Sequence, residues 1–320
     1  MNAFDPFEEA GDVAAIAARL AEPDPGARRV AVMALAETAD PDAIAPLAAA
    51  LQDRAKEVRL QAAIALGEFD GVASARALCG ALTDGDAAVA EAAAESLAEQ
   101  RDPGSAEAVL PFVAHERPFV RRAALRALKE LRCRDALKPA IEALRDGDEE
   151  VRVQAVGVIG YLKLEASLPA LIAAARDDSP AVRRAVASAL GYSTSSHAAE
   201  AIIALMADPD WQVREIAAET AGKTGAGAAL GALIGLLGDA FWQVRVKAVR
   251  SLGRLKARAA VAALLPALDH AISNLRKEAA AALGEIADPA ALPALESHLS
   301  EPDPDVRKNI RWAIGRIRGG

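Results

Sequence analysis

The residue types that most often perform chemistry are few in this chain and widely spaced. There are two cysteines, Cys79 and Cys133, and four histidines. Two cysteines so far apart form neither a disulfide framework nor the paired spacing of a zinc site. The sequence has no glycine-rich phosphate loop after a strand and no recognisable Ser/His/Asp catalytic pattern. We therefore predict no catalytic residue and no cofactor.

These residues are embedded in a sequence that repeats every 31 residues. The stretch VRLQAAIALG, residues 58–67, belongs to ten related copies with no insertion or deletion between them. A constant period of this length is typical of an array in which each repeat contacts only its neighbours. We number each copy from its first residue, called position zero. The zero positions are Ala27, Val58, Val89, Val120, Val151, Val182, Val213, Val244, Leu275 and Val306.

The ten repeats fill residues 9–318, with residues 1–8 as a lead-in and residues 319–320 as a tail. The borders are 9–39, 40–70, 71–101, 102–132, 133–163, 164–194, 195–225, 226–256, 257–287 and 288–318.

Each repeat contains two amphipathic segments, which we name helix A and helix B. In the second repeat we predict helix A at about Asp42–Gln52 and helix B at Val58–Glu68, with positions zero, +4 and +8 on the apolar side. Aspartate or serine followed by proline, as at Asp24 and Ser179, indicates a helix N-terminus. Glycine at +9 in seven repeats serves close packing or a C-terminal cap. Cys79 lies among helix A core positions, so we expect no reactive thiol.

Two charged positions recur with the repeat. Arginine follows position zero in nine repeats: Arg28, Arg59, Arg121, Arg152, Arg183, Arg214, Arg245, Arg276 and Arg307. An acid stands at position −5 in eight: Glu22, Asp53, Asp84, Asp146, Asp177, Asp208, Asp239 and Glu301. One interpretation is an arginine track for an anionic ligand. We favour a ladder of Asp–Arg contacts between adjacent repeats, because a feature of nearly every repeat serves the repeat itself.

The pattern D-x-x-x-x-V-R-x-x-A-A-x-A-L-G resembles the short bacterial HEAT-like repeats, including those of the phycobilisome bilin lyases. The second repeat matches it throughout, from Asp53 through Val58 and Arg59 to Gly67, and the resemblance covers essentially the whole chain. It implies an all-α fold, a right-handed α-solenoid of ten 31-residue HEAT-like helix pairs. It also implies that the B helices line the concave wall.

The resemblance bears on metals and nucleic acids as well. HEAT-like iron hydroxylases carry several His-Glu pairs, whereas this chain has only His115-Glu116, so we predict no metal site. HEAT-like DNA glycosylases need a basic cleft with aromatic residues, whereas the first half of this chain is acidic on the corresponding face. We therefore predict no nucleic-acid partner.

Positions +2, +6 and +10 of helix B lie opposite the core side, and we call them the B-helix stripe. The stripe varies between repeats, and both tyrosines of the chain fall at +10. Tyrosine and arginine are common at interfaces, and exposed apolar clusters often mark contact sites. The alternative is an ordinary solvated face with a few stray apolar residues. The predicted partner-binding residues are Leu60, Ile64, Glu91, Glu95, Glu99, Arg122, Arg126, Tyr161, Arg184, Tyr192, Arg250 and Trp312.

Trp211 and Trp242 complete the predicted partner-binding set. They occupy the same position in adjacent repeats, so we predict that their indoles are neighbours on the A–B turn edge, near Phe119 and Phe241. Such an edge suits a partner or an apolar ligand. The alternative is packing against arginines between repeats.

The net charge of −8 disfavours general nucleic-acid binding, because phosphate contact needs a basic surface. Residues 1–160 carry 28 acids and 18 bases, and residues 161–320 carry 17 acids and 19 bases. The first residues lack a secretory signal pattern, and no apolar run is long enough to span a bilayer. We expect a soluble, cytoplasmic protein.

We predict a non-enzymatic scaffold or adaptor, monomeric on its own, that binds a protein or peptide on its concave B-helix face. The acidic first half would take basic segments, Tyr161 and Tyr192 would anchor the centre, and the second half would take acidic segments. The resemblance alone suggests an alternative, a lyase- or chaperone-type subunit acting on a cofactor-bearing protein. A consensus-designed array is disfavoured, because the aromatic residues occupy repeat-specific positions.

Overall fold

The computed structural model describes residues 13–319, and in that range the chain is helical without any strand. Each predicted repeat contains two α-helices, numbered α1 to α20, so that odd numbers are A helices and even numbers are B helices. The fold class is all-α, an α-solenoid of helix pairs, as predicted. The predicted lead-in, residues 1–8, and Gly320 lie outside the described residues.

The B helices are the longer members of the pairs. They are α2 Pro25–Glu37, α4 Lys56–Leu66, α6 Ala87–Ala98, α8 Pro118–Glu130, α10 Glu149–Leu162, α12 Pro180–Ala189, α14 Trp211–Thr224, α16 Trp242–Arg254, α18 Ser273–Ile286 and α20 Pro304–Gly319. The A helices are α1 Val13–Ala18, α3 Ile44–Ala50, α5 Val72–Ala81, α7 Ala106–Val109, α9 Leu137–Ala143, α11 Leu168–Ala174, α13 Ser196–Leu205, α15 Leu230–Gly235, α17 Val261–Leu264 and α19 Leu292–Ser297.

Most A helices are shorter than the sequence predicts because a 3-10 turn takes the place of the first helical turn. In the second repeat Pro41–Ala43 is a 3-10 helix, and α3 begins only at Ile44. The predicted capping residue is still used, since Asp40 accepts a hydrogen bond from the backbone N–H of Asp42 at 2.9 Å. The cap therefore fixes where the segment begins, while the tighter turn shortens its α-helical part.

The predicted caps of the B helices are confirmed. Asp24 accepts a hydrogen bond from the backbone N–H of Ala27 at 2.9 Å, and Ser179 accepts one from that of Ala181 at 3.2 Å. Proline follows each cap in the first turn, where no backbone donor is needed. These contacts set the starts of α2 and α12.

The core side of the B helices is the predicted one, with one further position. In the second repeat Val58, Ala62 and Leu66, at zero, +4 and +8, are fully buried. Ala63, at +5, is also fully buried, because α4 packs between α2 and α6. In the last repeat the +5 residue is Arg311, and it is exposed. The +5 position is therefore apolar where a further B helix covers it.

Glycine at +9 serves close helix packing at Gly222. A Cβ added at Gly222 would lie 2.4 Å from Oγ and 2.8 Å from Cα of Ser251, on the next B helix. The left-handed residues that end B helices stand later, at +12, as in Arg132, Gly225 and Lys256. Of the two roles that the sequence left open, the structure thus assigns the first to Gly222.

Residue contacts divide the chain into two compact units, Met1–Leu162 and Lys163–Gly320, which we call the N-terminal and the C-terminal half. The division falls at the end of α10, next to the predicted border between repeats five and six. In the N-terminal half each B helix from α2 to α10 packs against the next, and in the C-terminal half the same holds from α12 to α20.

Candidate interaction surface

The recurring arginines and acids form the predicted ladder between repeats. In six rungs the arginine donates from Nε and Nη2 to the two carboxylate oxygens of the acid 25 residues later, at 2.6 to 3.2 Å. The pairs are Arg28–Asp53, Arg59–Asp84, Arg121–Asp146, Arg183–Asp208, Arg214–Asp239 and Arg276–Glu301. The ladder prediction is confirmed, and these arginines are unavailable to an outside anion.

Each rung also closes the turn between its own helices A and B. Nη1 of Arg214 donates to the backbone carbonyl of Asp208 at 2.8 Å, while Oδ1 of Asp239 accepts from the backbone N–H of Phe241 at 2.8 Å. The side chains are mostly buried, as Arg28 shows with an exposed fraction of 4%. Bidentate, partly buried pairs are stronger than exposed ones, so the ladder holds neighbouring repeats in register.

The ladder changes the acidity of its carboxyl groups. The hydrogen bond from Arg28 lowers the pKa of Asp53, although burial opposes the shift. The hydrogen bond from Arg59 lowers the pKa of Asp84 in the same way. Hydrogen bonds to the charged form stabilise it, so both carboxylates stay ionised well into the acidic range.

The B-helix stripe of the N-terminal half begins with an apolar and acidic surface. Ile64 is exposed to 47% of its area, and Met33, one repeat earlier at the same position, is also exposed. Leu60 is half-buried beside them. The third repeat follows with its three stripe positions all exposed and all acidic: Glu91, Glu95 and Glu99. These carboxylates have no ion-pair partner within residues 13–319.

Farther along the N-terminal half, the stripe becomes basic and aromatic. Arg126 is exposed, whereas Arg122 contacts Glu150 and lies 5.7 Å from the ring centre of Phe119. Tyr161 is exposed, and the Arg132 guanidinium lies 5.7 Å from its ring centre. Of these stripe residues, Arg126 and Tyr161 are the more accessible to a partner.

Several predicted residues of the C-terminal half are engaged within the chain. Tyr192 is half-buried, and its hydroxyl donates to the carbonyl of Leu164 at 3.1 Å. Arg184 donates to Oε1 of Gln212 at 2.5 Å. Trp312 is exposed on one face, while its other atoms contact the position of Gly284 so closely that a Cβ there would lie 2.4 Å from the ring.

Arg250 lies in a second set of contacts between B helices. It donates to both carboxylate oxygens of Glu278, at 2.6 and 2.8 Å. In the preceding pair of helices Lys247 donates to Glu219 at 2.5 Å, and together Lys223 and Lys247 lower the pKa of Glu219 to about 2. A cavity of about 170 Å³ lies beside the Arg250 pair. Arg250 therefore connects repeats eight and nine, whether or not a partner also contacts it.

The predicted proximity of the Trp211 and Trp242 indoles stays a prediction, because the ring that stacks on Trp211 is another one. Trp211 stacks on Phe241, with ring centres 5.2 Å apart and planes inclined by 11°. The Arg214 guanidinium lies 5.9 Å from the centre of the same phenyl ring. Phe241 stands 30 residues after Trp211, one position before Trp242. Trp242 is exposed beside this cluster.

The remaining chemical candidates are structural or isolated. Burial raises the pKa of the Cys79 thiol to about 12, so this group stays protonated and unreactive near neutrality. Between residues 13 and 319, no group of three or more histidine, cysteine, aspartate or glutamate side chains is arranged to hold a metal ion. In the same range no helix has the length and apolar character needed to cross a membrane.

Comparison with known proteins identifies the repeats. A sequence model described as HEAT repeats matches residues 13–98, 75–148, 137–222 and 230–315. No curated protein matches the chain.

Solved structures of similar fold include several solenoid proteins. The Escherichia coli protein YibA is 20% identical, with a TM-score of 0.63 over 84% of this chain and 99% of YibA. Kap95p, solved with RanGDP, is 16% identical, with a TM-score of 0.66 over 95% of this chain and 49% of Kap95p. The CpcE–CpcF phycocyanin lyase complex of Nostoc sp. is 23% identical over 66% of this chain and 94% of the matched chain, with a TM-score of only 0.44. At these identities the first two likenesses show the fold alone.

Proposed function

The chain belongs to the HEAT-repeat family, and we propose that it is a non-enzymatic scaffold that binds a protein or peptide on its B-helix stripe. Proteins of this fold serve mainly in interactions between macromolecules, and Kap95p has been solved with the proteins RanGDP and Nup1. Fold alone does not assign a function, so the proposal depends on the surface that this chain presents.

The observation that carries the proposal is the stripe of repeats one to three. Ile64 and Met33 expose large apolar side chains there, although the neighbouring B-helix core positions are fully buried. The glutamates at 91, 95 and 99 stand on the adjacent helix with no basic partner within residues 13–319. A bound partner would bury the exposed parts of the apolar groups and pair the charges.

The same surface specifies the chemistry of the partner. The carboxylates of Glu91 and Glu95 on α6 and of Glu99 at its C-cap favour lysine and arginine. The apolar groups on α2 and α4 favour aliphatic or aromatic side chains. A basic amphipathic helix presents both kinds of residue on one side and fits such a surface. We therefore propose that the N-terminal half binds a basic, amphipathic segment of a partner protein.

The proposal is tested with the full-length chain and a displayed library of helical peptides. Peptides enriched by the wild-type protein should combine lysine or arginine with apolar residues at helical spacing. Glu95→Lys places a like charge against them and should weaken their binding about tenfold or more, and Ile64→Ser should weaken it as well. Raising the ionic strength should weaken binding further, because exposed charges are screened.

The matched control is Glu107→Lys, which makes the same charge change at an exposed position of helix α7, away from the stripe. It should leave the affinity unchanged. The proposal fails if enriched peptides lack basic residues, or if Glu107→Lys weakens binding as much as Glu95→Lys. Circular dichroism of each variant shows whether the helical content is preserved.

The lyase-subunit alternative remains a prediction from the sequence resemblance alone. The likeness to the phycocyanin lyase complex is too low in TM-score to support it. A tetrapyrrole co-purifying with the chain would favour this alternative over the scaffold.

A further inference from the structure

One rung of the ladder keeps its arginine and lacks its carboxylate. At position −5 of the ninth repeat stands His270, where six other rungs have an acid facing the arginine of the repeat before. Arg245, in the eighth repeat, is the arginine that faces it. A histidine also replaces the acid in the fourth repeat, at His115, but there the facing residue is Ala90. The guanidinium of Arg245 is thus left without the anion that the ladder normally supplies.

The geometry of Arg245 differs from that of the complete rungs. In Arg214 and Arg276 it is Nη1 that donates to the carbonyl at −5 of the same repeat, at 2.8 Å in both. In Arg245 it is Nε that donates to the carbonyl of Asp239, so the terminal nitrogens turn away from the backbone. Nη1 then lies 3.0 Å from Nε2 of His270, and Nη2 has no hydrogen-bond partner within the described chain.

His270 cannot replace the missing carboxylate. Its Nδ1 accepts a hydrogen bond from the backbone N–H of Ile272 at 3.1 Å, which is the turn contact that the aspartates make elsewhere. A neutral imidazole has one acceptor nitrogen, so Nε2 then carries a proton and points it at another donor, the guanidinium of Arg245. Two donors then lie 3.0 Å apart, and an anionic oxygen beside both of them would accept from both.

A cavity lies at this point. It has a volume of about 140 Å³ and is lined by Arg245 and His270 on the polar side. Its other walls are apolar side chains: Leu237, Val249, Ala263, Pro266, Ala267 and Leu275. A water molecule occupies about 30 Å³ of liquid, so the space admits a group of several heavy atoms. An arginine, an imidazole N–H and aliphatic walls together suit a carboxylate on a short aliphatic stem.

We propose that this cavity binds an aliphatic carboxylate, which completes the rung between repeats eight and nine from outside the chain. The ligand's carboxylate accepts from Nη1 or Nη2 of Arg245 and from Nε2 of His270, and its stem packs against the aliphatic walls. Two sources share this chemistry, a free small carboxylic acid and an aspartate or glutamate side chain of a bound protein. The site lies in the C-terminal half and does not depend on the surface proposed for the N-terminal half.

The test follows the methyl resonances of Leu237, Val249 and Leu275 in the full-length chain while isobutyrate is added. The chemical shifts of these methyl groups should change and reach a plateau as the isobutyrate concentration increases. Isobutyramide has the same shape without the charge. Its affinity should be lower by about tenfold or more, because a hydrogen bond to a charged group is replaced by a neutral one. A blocked tripeptide with a central glutamate is the second arm. Tighter binding of the tripeptide indicates a protein source, and tighter binding of isobutyrate indicates a free acid.

Two variants separate this site from incidental binding. His270→Asp supplies the carboxylate from within the chain, so it should abolish the isobutyrate shifts and raise the unfolding temperature. His115→Asp makes the same change opposite Ala90, where the facing residue is not an arginine. It should change neither the isobutyrate shifts nor the unfolding temperature. The proposal is overturned if isobutyrate and isobutyramide bind equally, if neither carboxylate produces a saturable shift, or if His270→Asp binds isobutyrate as the wild type does.

Discussion

At the scale of single residues, the chain separates side chains that hold repeats together from those left for a partner. The arginine after position zero and the acid at −5 could be paired from sequence because they recur together. Arg250 could not be assigned in this way. Its partner Glu278 stands 28 residues later, and the two residues belong to no column that every repeat shares. Recurrent contacts are visible in a single sequence, whereas contacts particular to one pair of repeats need the geometry of the helices.

The lowered pKa values of the ladder acids predict a loss of stability in acid. Asp84 has a folded-state pKa below its ordinary value of 3.8, so the unfolded chain binds the proton more readily. Its contribution is complete above 3.8 and is lost as the pH falls through the folded-state value. We expect the urea midpoint to decrease steadily below about pH 4. Asp84→Asn should be less stable at pH 7 and should show a shallower decrease, and an identical decrease in both proteins would contradict the assignment.

At the scale of the helix, spacing along the B helices could be predicted well and lengths of the A helices could not. Positions zero, +4 and +8 are buried in the second repeat as the 3.6-residue period requires. The 3-10 turn at Pro41–Ala43 depends on how the segment meets its neighbours, and its sequence is compatible with either geometry. The stacking of Trp211 on Phe241 could not be predicted for a related reason. Equivalent positions are 31 residues apart, but packed B helices also bring residues 28, 29, 30 or 33 apart into contact.

The glycines at +9 provide the test at this scale. In Gly222→Ala the new Cβ would lie 2.8 Å from the backbone Cα of Ser251, which a change of side-chain rotamer cannot relieve. We expect a loss of about 1 to 3 kcal/mol, the range for overpacking. Gly315→Ala is the matched control at the same position of the last repeat, where no atom lies within 4 Å of the added Cβ. It should be neutral or stabilise by up to about 1 kcal/mol through helix propensity. The denaturant midpoints of both variants and of the wild type measure these differences in stability.

At the scale of the whole molecule, the sequence predicts the number of repeats and the fold class, because a period without insertions leaves few alternatives. It also predicts where a partner surface would lie. It does not show which stripe residues are free. Tyr192 and Arg184 are occupied within the chain, whereas Ile64 and the glutamates of the third repeat are not. This difference depends on cross-repeat neighbours and becomes visible only in three dimensions.

Because repeats contact only their neighbours, damage to one helix pair should remain local. We expect the Gly222→Ala variant to exchange backbone amides faster in α14 and α16, while α4 and α6 keep the protection they have in the wild type. Native-state hydrogen exchange followed by mass spectrometry measures this directly. Equal acceleration in all four helices would instead indicate that the array unfolds as one cooperative unit.

The constant spacing of the ladder also limits how a gene for such a chain changes length. Each rung joins residues 25 apart, and the glycine contact between α14 and α16 joins residues 29 apart. One codon inserted between Gly222 and Asp239 would displace the rung and the glycine contact of that interface together. Duplication or loss of a complete repeat displaces neither. Descendants of this gene should therefore differ by whole repeats, and recombination within the repetitive DNA is the route that changes their number.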